Sequence, residues 1–156
     1  MTVRDLAPRV ESIAHSRALL DLFELLGRLL LATLFLLLGL QKLGTYGTIA
    51  AYMTAHQVPP ELLPLAIAME VLGALAIILG WNTRTTAFLL SIYALLTALL
   101  VHRNLEEPVE AIMFFKNVAI AAGFLLLAVH GAGRLSLDHR HSAAGSPRAA
   151  AESLAG

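Results

Sequence analysis

Four ionisable residues interrupt long apolar runs of this sequence: Arg28, Lys42, Glu70 and Lys116. A charge inside a membrane-length apolar segment is costly, which makes each of them a candidate functional group. Glu70 is the sole acid near up to three bases. A carboxylate there can orient a base or carry a proton, and Arg or Lys can stabilise oxygen that becomes negative. Asn117 adds an amide beside Lys116. The excess of positive charge suits an anion or a polarised carbonyl oxygen. The competing reading is a charge network that does nothing but fix helix register.

The segments that carry these residues run from about Leu19 to Leu43, Leu62 to Gly80, Thr85 to Val101 and Val109 to Val129. Each approaches or exceeds the roughly 17–25 residues that cross a bilayer as a helix. They are Leu- and Ala-rich and do not alternate, which argues against strands. Backbone groups in hydrocarbon must be satisfied internally, and a helix does this within one segment. The fold class is therefore all-α, an integral membrane four-helix bundle.

Within the first span Arg28, Ala32, Phe35, Gly39 and Lys42 repeat at intervals of four and three and share one helical face. Ala66, Glu70, Gly73, Ile77 and Gly80 repeat the pattern in the second span, and Lys116, Gly123 and Leu127 fall near one line in the fourth. Such faces mix charge with small residues, as helix–helix contacts in lipid do. At 1.5 Å per residue, Glu70 lies roughly 12 Å and Lys116 about 10 Å in from the outer ends of their spans. Matching depth predicts that Glu70 pairs with Lys116 first, and with Arg28 or Lys42 second.

The connections differ. Gly80-Trp81-Asn82-Thr83-Arg84 is a tight turn that makes the second and third spans antiparallel neighbours. Pro108 suits the first turn of the fourth helix. Between the first and second spans Tyr46, Ile49, Ala50 and Met53 fall on one helical face, which predicts a short amphipathic interfacial helix ended by Val58-Pro59-Pro60. Residues 1–18 read as a cytoplasmic N-terminal segment with a retained signal anchor behind it, 19–138 as the membrane domain, and 139–156 as a disordered cytoplasmic tail. Arg4, Arg9, Arg17, Arg84, Arg134, Arg140 and Arg148 fall on one side and only Lys42 and Arg103 on the other. Positive residues favour the cytoplasm, so both ends are expected inside.

Two further clusters are candidates. Glu24, Arg84 and Asp138 gather at the cytoplasmic face, where solvated charges also set topology. His56 and His102 gather at the outer face near Glu106 and Glu110, without ligand spacing that assigns a metal. His102 and His130 close opposite ends of spans, about 30 Å of hydrocarbon apart, too far to share a haem.

Composition agrees with a membrane protein: 58% hydrophobic, 14% charged, formal net charge zero. The balance gives no pull toward nucleic acid. The chain has no cysteine, which removes thiol redox chemistry, Cys-based zinc sites and Fe–S clusters.

Taken together, Gly27-Arg28, Gly39-Leu40-Gln41-Lys42-Leu43, Ala51-Tyr52-Met53 ahead of Val58-Pro59, Met69-Glu70-Val71-Leu72-Gly73, Gly80 with Thr83-Arg84, His102, Phe115-Lys116-Asn117 and Gly131 through Asp138 form an ordered series. In this order and spacing the sequence resembles the DoxX-like membrane proteins, including the DoxD branch associated with thiosulfate:quinone oxidoreductase. The resemblance implies a four-helix bundle in the bacterial cytoplasmic membrane and a component of a quinone-linked oxidoreductase system. It makes quinone the implied cofactor, where the residues alone leave the cofactor open. Expected partners are the lipid bilayer, a redox protein that carries electrons, and a second copy of the chain. Two other readings stand beside it: a non-catalytic scaffold subunit of a redox or envelope complex, and a carrier for a small molecule or proton.

Overall fold

The apolar runs fold as helices in the computed structural model, which describes residues 17–144. Helix α1 spans Arg17–Gly44, α2 Tyr46–Ala55, α3 Leu63–Leu79 behind a 3-10 turn at Pro60–Leu62, α4 Thr83–Val101, α5 Pro108–His130 and α6 Leu137–Ala144. Among the described residues, four segments are long and apolar enough to cross a membrane: Arg17–Gly44, Pro60–Leu79, Thr83–Val101 and Pro108–His130. Leu30, Leu37, Leu65, Leu72, Leu126 and Val129 are each at least 60% exposed on the outside of the bundle, as lipid-facing side chains are.

Helix α1 packs chiefly on α3, α4 chiefly on α5, and α3 on α4, while α1 and α5 meet over a short stretch. The buried seam joins Ala32, Phe35, Ala74, Ile77, Ala87, Leu90, Ala94, Ala121 and Phe124. Alanines let the helices approach, and three aromatic rings fill the centre. Phe35 meets Phe124 edge-on at 5.1 Å and Tyr93 at 6.1 Å. A smaller cluster of Met53, Leu63 and Ile67 seats α2 on the start of α3. A helix is present where Tyr46, Ile49, Ala50 and Met53 predict one; Met53 is its buried residue and Tyr46 is exposed.

The turn after α3 is built by Gly80. Its φ of +66° ends the helix in the left-handed region, and Trp81 N–H closes back on the Ala76 carbonyl at 2.9 Å. A side chain at Gly80 would also collide with the Arg28 guanidinium and with Ser136.

The C-terminal region departs from expectation. Residues 137–144 form helix α6 where the composition predicts disorder from 139. Ser136 explains this: its hydroxyl accepts the His139 N–H at 3.2 Å and starts the helix. The N-terminal segment up to 16 and the tail from 145 lie outside the described residues.

Candidate functional site

Helices α1 and α3 come closest where Gly39 faces Glu70 and Val71. A Cβ on Gly39 would sit 2.7 Å from Val71 Cγ2 and 3.0 Å from Glu70 Cβ. One turn further along α1, Lys42 therefore lies over the Glu70 carboxylate. Its Nζ is 2.8 Å from both Oε1 and Oε2. The Tyr93 hydroxyl of α4 donates to Oε1 at 2.7 Å. The Glu70 side chain is 5% exposed and that of Lys42 20%. A carboxylate so deeply placed in an apolar bundle needs these donors, because an unpaired charge there is strongly destabilising.

The triad forms one wall of a cavity of about 420 Å³. Its other walls are mostly apolar, with Leu34, Leu38, Leu96 and Leu100 among them, and it extends to Tyr52 and His102 at the α2 end of the bundle. Lys116 and Asn117 contribute from α5. The volume falls within the ~300–1,000 Å³ typical of small-molecule sites.

The structure corrects the expected pairing. Lys116 does not pair with Glu70; its ammonium donates to the Met113 thioether at 3.1 Å, and the residue is exposed on α5. Equal depth along two helices does not give equal azimuth: α5 packs on α4, whereas α1 packs on α3 and brings Lys42 across. Asn117 donates to the Met113 carbonyl at 2.9 Å. Arg28 also leaves Glu70 alone. It is 1% exposed and donates to the Leu135 carbonyl at 2.6 Å, beside Gly80. Gly80 is ten residues beyond Glu70, about 15 Å along α3. Tyr93 is a site residue that charge and spacing do not single out. Its signal in the sequence is a lone tyrosine mid-span with Thr97 one turn later, which puts two hydroxyls on one face of the helix.

At the α2 end His102 Nδ1 is 2.8 Å from Glu110 Oε2, and the Tyr52 hydroxyl donates to Glu110 Oε1 at 3.2 Å. The His56 ring lies against the Tyr52 ring, with centroids 4.1 Å apart. Burial, then the Glu110 carboxylate, pushes the Tyr52 hydroxyl above the ordinary tyrosine value. Among the described residues no three His, Asp or Glu side chains are arranged to hold a metal ion.

At the opposite end Asp138 caps α4 from outside the helix. Its carboxylate accepts the N–H of Asn82 at 2.7 Å and of Thr83 at 2.9 Å, and its own N–H donates to the Gly80 carbonyl at 2.9 Å. Burial alone would raise this carboxyl. The Thr83 and Asn82 amides and the Arg28 charge outweigh it and hold the group below its ordinary value. Glu24 lies against Gly133, and Arg84 donates to the His130 carbonyl at 3.5 Å. This end locks the C-terminal segment to the α3–α4 turn.

The comparisons with known proteins agree with this architecture. The DoxX family model matches residues 23–103. The inner membrane protein YqjF of Escherichia coli K12 is 45% identical over 118 residues, 76% of this chain and 91% of that protein. The inner membrane protein YphA of the same organism is 37% identical over 123 residues, 74% of this chain and 88% of that protein. No solved structure matches. The matched span contains Lys42, Glu70 and Tyr93, and on the strength of these matches the chain belongs to the DoxX family.

Proposed function

We propose that this protein holds a quinone, or a comparable small apolar carbonyl compound, in the cavity walled by Lys42, Glu70 and Tyr93. It does so as the membrane component of a quinone-linked oxidoreductase system in the bacterial inner membrane. The carrying observation is the cavity itself: about 420 Å³, mostly apolar, with an ion pair and a tyrosine on one wall. The inner-membrane names of YqjF and YphA support the location. The arginines at the end shared by Arg17 and Arg134 support both termini facing the cytoplasm.

The residues fit such a ligand. Apolar walls suit a ring and tail, while Lys42, Lys116 and the Asn117 amide supply donors for carbonyl oxygens. A bound quinone would supply the two-electron chemistry, which the chain's own side chains lack, and a partner protein would deliver the electrons. Tyr93 Oη and Glu70 Oε1, 2.7 Å apart, form a place where a proton can be held at the cavity wall. A second reading has its own observation: Glu70 is already satisfied by Lys42 and Tyr93, so the triad also suits a staple joining α1, α3 and α4 in a scaffold subunit.

Binding of labelled 2-methyl-1,4-naphthoquinone to protein in nanodiscs separates the two. Saturable, one-to-one binding above the level of empty nanodiscs, lost when Ala66→Phe fills the cavity of a still-folded protein, is the expected result. Partitioning equal to that of empty nanodiscs would leave the staple reading standing.

A further inference from the structure

The charges around the cavity do not balance. Lys42 and Lys116 put two cations on the cavity wall, and Glu70 is the one carboxylate among its lining residues. Lys116 is the ninth residue of α5, about 12 Å along the helix from Pro108. Among the described residues the partner of its ammonium is a thioether, a weak acceptor. Holding a charge at that depth is costly unless something negative meets it.

The helix packing shows where that would be. Helices α1 and α5 touch through Phe35 against Phe124 and Leu31 near Gly123. Beyond these contacts, toward the α2 end, the cavity lies between them. Leu34, Leu38 and Lys42 line it from α1, and Lys116, Asn117 and Ile120 from α5. Lys116 is at once exposed on the bundle surface and part of the cavity wall. It therefore stands on the side of the cavity that faces the bilayer.

We infer that the cavity selects membrane-dissolved molecules that carry one anionic oxygen on an apolar body, and that Lys116 is the residue that selects the charge. This rests on the proposal that the cavity binds a small apolar oxygen compound, and it names the class. Two sources offer such a group: an acidic hydroxyquinone, ionised at neutral pH, and a fatty-acid carboxylate. A charge-assisted hydrogen bond inside a largely apolar site favours the anion over a neutral analogue of similar shape by at least about tenfold.

The test uses full-length protein in zwitterionic nanodiscs and three probes: 2-hydroxy-1,4-naphthoquinone, its neutral 2-methyl analogue, and laurate. The hydroxyquinone is expected to bind about tenfold or more tightly than the methyl compound, each measured against its partitioning into empty nanodiscs. Lys116→Gln should abolish that preference, weakening the hydroxyquinone about tenfold or more and the methyl compound by much less, and Lys116→Arg should restore it. Tight, Lys116-dependent laurate binding assigns the anion to a lipid source, and its absence assigns it to the hydroxyquinone class. Equal affinity for the two naphthoquinones, or a preference that survives Lys116→Gln, would overturn the inference and leave Lys116 an interfacial anchor only. Failure of all three probes to bind would overturn the parent proposal as well.

Discussion

Lys42 Nζ lies 2.8 Å from each carboxylate oxygen of Glu70, and the two residues belong to different membrane-length helices. Their burial is unequal, 20% exposed for Lys42 and 5% for Glu70. That inequality makes the consequences of removing each partner different.

Lys42→Met leaves the carboxylate stranded in apolar surroundings with only Tyr93 to donate. The expected cost is about 3 kcal/mol, the low end for breaking a buried pair, because that donor remains. Glu70→Gln leaves an ammonium near the end of α1 that can extend toward water, so the expected cost is about 1–2 kcal/mol. The double variant strands nothing and should recover most of the larger loss. Unfolding titrations in mixed micelles give all three values. Equal stability of the wild type and both single variants would mean the pair carries no coupling.

The close approach at Gly39 supplies a paired comparison within one helix. Gly39→Ala puts a methyl 2.7 Å from Val71 Cγ2 and should cost about 1–3 kcal/mol through overpacking. Gly27, also in α1, borders open space: a methyl added there would have no neighbour within 4 Å. Gly27→Ala should therefore stabilise by up to about 1 kcal/mol through helix propensity. The same unfolding titrations decide the signs.

Asp138 gives a pH dependence. Its folded-state value is depressed, so its contribution is complete above the ordinary aspartate value of about 4 and is lost as pH falls through the folded-state value. Asp138→Ala should cost about 0.5–2 kcal/mol at neutral pH, the range for losing a helix cap. It should also flatten the part of the wild-type stability profile that falls below about pH 4. Thermal unfolding across that range tests both.

Much of this was legible in the sequence, for a physical reason. Arg28, Ala32, Phe35 and Gly39 are the buried residues of α1, and they are the face that intervals of four and three pick out. Periodicity reports which side of a helix is shielded. It does not report the rotation of one helix against another, and that rotation gave Glu70 to Lys42 in place of Lys116. Arg28 escaped for a related reason. Its guanidinium donates to the Leu135 carbonyl, in a segment 107 residues away that a span-by-span reading does not bring together. Tyr93 was hidden by its type, since an aromatic ring in a membrane helix ordinarily serves packing, and here its hydroxyl serves Glu70.

Photolabelling tests the binding cavity most directly. Wild-type protein in nanodiscs is irradiated with an azido-1,4-naphthoquinone, digested, and mapped by mass spectrometry. The proposed function predicts label within residues 34–42, 62–70 and 93–102, the segments that wall the cavity, and competition by unlabelled 2-methyl-1,4-naphthoquinone. Label confined to lipid-facing positions such as Leu30, Leu72 and Val129, and indifferent to competitor, would contradict it.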